Sequence, residues 1–266
     1  MRKPLFKIAF IFFTAISPVF ISAQPDKFKT PEGNPAGLHT VYRYQKSNWD
    51  GTHRSDIFLY ISSNNRLESY KWSEGDHLAT LVTAWIDWNN FSISRFENHR
   101  IEQNKEPQLR AVLEAVDGSK VKIELGDYKD TAVITAWPWH SYDFDFAGLG
   151  YIWRALKNKE TDFVFHRADP GMLNGKPAMV NMGEVKVKFL GPEKIDDTDC
   201  LKYSIDGAGL ENKGGTIWID PETWMIQRYK IALPDEEGFE NGYLNLLEKK
   251  KMTPEEWERF KQVKVN

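Results

Sequence analysis

Strict alternation of apolar and polar residues is the feature that most limits what this chain can fold into. Val185, Val187 and Phe189 alternate with Lys186 and Lys188, which gives a strand one dry face and one wet face. Comparable short stretches recur from Leu38 onward. Asp56–Ile61, Arg66–Trp72, Thr80–Trp88, Gln108–Val116, Lys120–Leu125 and Thr131–Trp137 fit strands. Glu184–Leu190, Leu201–Ile205, Thr216–Asp220, Trp224–Leu233 and Gly242–Leu247 continue the series. Asp117-Gly118 between two of these runs is a hairpin signal. Many short strands broken by turns predict an antiparallel sheet that curls or closes. The expected fold is all-β with minor α: a strongly curved antiparallel sheet, half-barrel or partly closed barrel, with about two helices including a C-terminal one.

The first helix is signalled by Leu149, Ile152, Trp153 and Leu156 at i, i+3, i+4 and i+7, with Asp143 or Asp145 as its N-cap. The second opens on Thr253-Pro254-Glu255-Glu256. Proline stands at the first helical position and glutamate at the third, the pattern of a capping box, and Trp257 and Phe260 begin the apolar stripe.

The N-terminus reads as a secretory signal over residues 1–23. Arg2, Lys3 and Lys7 precede the apolar run Ile8–Ile16, and Ile21-Ser22-Ala23 supplies small residues for cleavage. That run is too short to span a bilayer, so no integral membrane segment is expected after cleavage. No cysteine follows the cleavage point, so no lipid anchor is expected either. The chain is expected to be exported, periplasmic or extracellular. Gln24–Gly37, with three prolines and two glycines, reads as a flexible lead-in, and 38–266 as a single β-rich domain.

Charge narrows the partners. The expected cleavage leaves 32 basic residues against 38 acidic ones, a formal charge of −6. A mildly acidic surface with interspersed signs gives no reason to track a phosphate backbone, and no polybasic cluster is present for anionic lipid. No nucleic-acid partner is expected. Cys200 is the only cysteine, so stability has to come from burial rather than cross-linking.

Chemistry-bearing motifs are sparse. In Trp137–Leu149, His140 could act as a general base oriented by Asp143 or Asp145, or joined by His166. Yet no Gly-x-Ser-x-Gly elbow and no nearby cysteine supplies a nucleophile, and the same residues serve equally as helix caps and strand-end hydrogen-bonders. Histidines 39, 53, 77, 99, 140 and 166 form no ligand-spaced pair. His166-Arg167-Ala168-Asp169 could reach His140 across space, but the arginine disfavours a cation. Gly148-Leu149-Gly150 and Gly207-Ala208-Gly209 lack phosphate-loop context. No catalytic residue, metal or cofactor is therefore assigned.

The ten tryptophans are the unusual feature. Gly75–Trp85 can be aligned with Gly126–Trp137, each turning at Gly-Asp and running out through Thr-Ala-Trp, with Trp88 and Trp139 soon after. That likeness predicts two tryptophan rims on one wall. In Thr216–Ile219, apolar residues occupy both faces of one strand, which has to be covered twice.

Gly214-Gly215-Thr216-Ile217-Trp218-Ile219-Asp220-Pro221-Glu222-Thr223, with Gln227-Arg228-Tyr229, resembles the strand, Asp-x-x-Thr turn and return strand of periplasmic lipoprotein-carrier-like half-barrels. His140–Leu156 and Thr253–Phe260 are similar to uncharacterised exported bacterial β-rich proteins with that kind of sheet. The resemblance implies a curved sheet whose concave side, partly covered by helices, takes up acyl chains or other apolar groups without catalytic residues. This chain departs from the carriers in length and in its tryptophan load. The function expected is an exported soluble binding protein for an apolar or amphipathic small molecule or lipid. Its aromatic wall is assigned to Trp85, Trp137, Trp139, Tyr142 and Trp153, with His140 as an orienting polar group. The alternatives are a hydrolase built on His140 and an envelope module whose exposed tryptophans stack on glycans.

Overall fold

In a computed structural model, residues 26–264 are described except 73–77, 103–104, 118–119, 135–136, 142–144 and 236. The expected signal peptide, Tyr142 and Asp143 thus lie outside the described residues. Fifteen strands form one sheet. The first run is β1 (Thr40–Ser47), β2 (Ser55–Ile61), β3 (Arg66–Trp72), β4 (Leu78–Asp87), β5 (Ser92–Glu102), β6 (Gln108–Asp117), β7 (Lys120–Leu125) and β8 (Tyr128–Val133). The second run is β9 (Trp139–His140), β10 (Phe163–Leu173), β11 (Lys176–Ile195), β12 (Thr198–Asp206), β13 (Gly215–Ile219), β14 (Ile226–Ile231) and β15 (Gly242–Lys251). Helix α1 (Asp145–Trp153) follows β9, and α2 (Pro254–Lys264) closes the described chain.

Each run is a meander of neighbours, and β1 pairs with β15 to join the two. All pairings are antiparallel except β9 on β10. This order makes β8 and β9 the two outer strands of the sheet, although they are consecutive in the chain. Fourteen inter-strand spacings laid flat would separate them by about 65 Å. The link 134–138 reaches only about 20 Å when fully extended. The sheet therefore has to curl until its two ends nearly meet, and it does so without a ladder between them: it is curved and unclosed, as expected. The Tyr128 hydroxyl and Thr131 N–H hold Asp130 on β8 below the usual carboxylate range, and Lys176, at the turn end of β11, lies close enough to add in the same direction.

Alternation sorts the side chains onto two faces. Tyr42, Tyr44, Leu59, Leu67, Val82, Ala84, Phe96, Ile123, Val187, Tyr203, Ile217 and Tyr229 point inward with α1. Val41, Phe58, Tyr60, Tyr70 and Leu81 point outward and are covered by α2. The capping box forms reciprocally: Glu256 N donates to Thr253 Oγ1 (3.2 Å), and Thr253 N donates to Glu256 Oε2 (2.7 Å). Trp257 stacks on Tyr60 at 5.0 Å between ring centroids and donates from Nε1 to Glu68 (2.7 Å). Lys261 also donates to Glu68 (2.9 Å), so that buried carboxylate is fully engaged.

Helix α1 fills the hollow. Leu149 and Trp153 are wholly buried, and Trp153 stands edge-on to Phe163 and Tyr203. Its C-terminal carbonyls are met by Lys159, whose Nζ donates to Leu156 O (2.9 Å). Burial, with Lys29 and Arg154 nearby, pulls the Lys159 amine down to about 8. Arg154 ties the helix to the β2–β3 turn through Asn64 and to the N-terminal segment through Gly33 O (2.8 Å).

Two expectations change. The segment before β1 is packed rather than a free lead-in: Phe28 is 2% exposed, stacks on Phe91 and meets Phe163 edge-on. A single aromatic among prolines has no period to reveal it. The second cover expected for β13 is no further layer: Trp218 is half-buried on the outer face, donating to Glu193 Oε1 (3.1 Å) beneath Lys202. The turn after β13 forms as read, with Asp220 Oδ1 accepting from Glu222 N (2.8 Å) and Thr223 N (3.3 Å).

Candidate functional site

Between β8 and β9, the outer strands of the sheet, lies a seam with no ladder among the described residues. Ile134 turns inward and is 2% exposed. Trp137 follows, half-buried against the inner core and edge-on to Trp139 at 6.4 Å. A pocket of about 240 Å³ opens beside it, bounded by Asp87, Asn90, Ile93, Val116 and Trp137. Behind Ile93 lies a cavity of about 10 Å³, walled by Ile86, Trp88, Trp139, His140 and Ile152. Ile93 is the wall common to both.

Trp139 is fixed from two sides. Its backbone N donates to Ser92 Oγ on β5 (3.0 Å). The two residues of β9 lie along β10, Trp139 opposite His166 and His140 opposite Arg167. The strand after the seam is thereby held against both runs of the sheet.

The polar groups here form a closed set. Ser141 Oγ donates to Asp169 Oδ1 (2.9 Å), and Arg167 Nε donates to the other oxygen of Asp169. Arg167 Nη1 reaches Gly209 O (3.1 Å). So the expected approach of the 166–169 stretch to His140 occurs, and it is the Arg167 guanidinium that is brought beside the imidazole. His140 is 3% exposed. Burial, assisted by Arg167, pushes its pKa down to about 3. An imidazole with that value is uncharged at neutral pH and accepts a proton poorly, so it is ill suited to general-base work. His166 faces Glu184 across the ladder and is also pushed down by burial. Ser141 is wholly buried with its hydroxyl committed to Asp169. Among the described residues no three His, Cys, Asp or Glu gather at a metal-holding distance.

The expected aromatic wall divides. Trp139 and Trp153 lie in the inner core and Trp137 at its edge. Trp85 does not join them: Val82, Ala84 and Ile86 of β4 point inward, so Trp85 faces outward, where the Arg66 guanidinium sits 5.3 Å above its ring. The two tryptophan rims predicted from the Gly-Asp likeness are therefore on different surfaces. The aromatics that follow them, Trp88 and Trp139, do share a wall, that of the small cavity. Of the ten tryptophans Trp49 alone is largely exposed, at 47%. Asp145 opens α1 as its first residue rather than preceding it. Sequence reasoning missed Ile93 and Ser92 because β5 was not recognised as a strand. Cys200 is buried, and burial raises its thiol to about 11, so it is an inert packing residue.

No family model matches this chain, and no curated protein matches it. Among solved structures it is similar to a chain described as an outer membrane lipoprotein-sorting protein domain from Vibrio parahaemolyticus. That likeness has 10% identity and a TM-score of 0.23, over 89% of this chain and 94% of that one. It is also similar to a DUF1329 family protein from Desulfovibrio piger, with 7% identity and a TM-score of 0.22, over 82% of this chain and 88% of that one.

Proposed function

We propose that this protein is an exported binding protein that takes an apolar or amphipathic small molecule, such as a lipid, into the inner face of its curved sheet through the seam beside Trp137. The observation that carries the reading is the rim pocket of about 240 Å³, whose walls Ile93 and Trp137 back onto the apolar core beside the link that joins β8 to β9. Opening a seam that lacks a ladder costs side-chain contacts and the bond from Trp139 N to Ser92 Oγ, whereas parting paired strands breaks a whole ladder. The pocket is smaller than the usual drug-sized site, so it holds one segment of a chain-like ligand packed against the Trp137 ring. His140 is uncharged and buried at the inner end, where a polar group can orient a mostly apolar ligand. The buried, neutral state of that histidine is also what disfavours the hydrolase alternative.

Titration with the apolar dye N-phenylnaphthylamine tests the reading. Saturable fluorescence enhancement is expected, and Trp137→Ala should raise Kd about tenfold, a loss of about 1.4 kcal/mol, with little change in Tm. Trp153→Ala should instead destabilise the fold by about 3–5 kcal/mol, as a core truncation does. Unsaturable dye uptake, or uptake indifferent to Trp137, would contradict the proposal.

A further inference from the structure

The ring N–H groups of the tryptophans single out one position. Trp49, Trp88, Trp218 and Trp257 each donate to an oxygen at 2.7–3.2 Å. Nε1 of Trp139 and of Trp153 are buried with no acceptor in bonding geometry among the described residues, and of the two it is Trp139 that lines the small cavity. A buried donor left unpaired keeps the cost of its lost hydration, and an acceptor delivered to it recovers that cost. We propose that the cavity beside Trp139 is a subsite for an uncharged hydrogen-bond acceptor, an ester or amide carbonyl or a hydroxyl, carried at the end of the apolar ligand. This rests on the binding reading above and adds the chemistry of the ligand's inner end.

Size and surroundings select the group. A cavity of about 10 Å³ admits one oxygen-sized atom, about the room a single water needs. A carboxylate or phosphate is excluded by its charge, because the walls Ile86, Trp88, Ile93 and Ile152 give a charge nothing to replace its hydration. The guanidinium groups nearby are already engaged, Arg167 with Asp169 and Arg154 with Asn64 and Gly33 O. An ammonium group meets no carboxylate among the lining residues. The ligand's chain continues past Ile93 into the rim pocket, because Ile93 is the partition between the two spaces.

The test compares ten-carbon probes on the whole mature chain: decane, decanol, methyl decanoate, decanoate and decylamine. Displacement of N-phenylnaphthylamine gives affinities, and proton–nitrogen correlation spectra follow the Trp139 indole, assigned with Trp139→Phe. Decanol and methyl decanoate should bind more tightly than decane and shift the Trp139 indole proton, and Trp139→Phe should cut their affinity about tenfold while sparing decane. Ile93→Phe, which fills the cavity from β5, should reproduce the loss for the alcohol and ester, so the proposal stays testable if Trp139→Phe does not fold. Equal affinity for decane and the ester with an unmoved indole, or tightest binding by decanoate or decylamine, would overturn the subsite and leave the binding function standing. Failure of every probe to displace the dye would overturn both.

Discussion

His140 shows how far surroundings reset a side chain. Its charged form is disfavoured by burial and by Arg167, so the folded pKa of about 3 lies well below the ordinary value of 6.5. Between those values the unfolded chain binds a proton that the folded one does not. Stability is therefore intact above about pH 6.5 and falls as pH drops, by about 1.4 kcal/mol per pH unit for this one group. His166, also pushed down by burial, adds in the same direction. Urea unfolding at pH 7 and pH 4 should show a smaller acid loss for His140→Asn than for the parent; an identical loss would mean that His140 titrates normally. The histidine and its aromatic nest were legible in the sequence, but their role was not. Whether a histidine in such a nest is a base or a buried neutral group depends first on how deeply it is buried, and then on Arg167, which lies 27 positions further along the chain and meets it through the β9–β10 pairing.

Among the elements, α1 depends on one small residue. Gly150 faces the start of β14 so closely that an added Cβ would stand 2.5 Å from Trp224 O and 3.1 Å from Ile226 N. Alanine would gain about 1 kcal/mol in helix propensity and lose about 1–3 kcal/mol to overpacking against backbone that cannot yield. Gly150→Ala is thus expected to lower the urea midpoint, and a rise would show that α1 does not lie so near β14. The two helices were readable because capping and an i, i+3, i+4 stripe are local signals. Strand β5 was not, since Arg95, Glu97, Asn98, His99 and Arg100 crowd it and a bulge between Trp85 and Ile86 interrupts its pairing with β4. Strand β10 hides behind Asp169-Pro170-Gly171, which reads as a turn. It tolerates proline because β9 covers only two of its residues and the rest of that edge donates no ladder bonds.

At the scale of the whole molecule, curvature follows from connectivity. Two meanders joined at β1 and β15 place consecutive strands at opposite ends of the sheet, and a five-residue link forces those ends together. Alternation in the sequence foretold many strands and a curled sheet; it could not say where the curl fails to close, because that is decided by which strands pair last. Trp85 faces outward because it lies within β4, between the inward Ala84 and Ile86, whereas Trp137 follows the end of β8. The account stands or falls on whether the interior accepts a guest through that seam. Native mass spectrometry of the mature chain, purified without detergent from cells that export it, measures this directly. The account predicts a population heavier by the mass of one apolar or amphipathic molecule, lost on Trp137→Ala. A single species at the bare chain mass, unchanged after incubation with lipid extract, would contradict it.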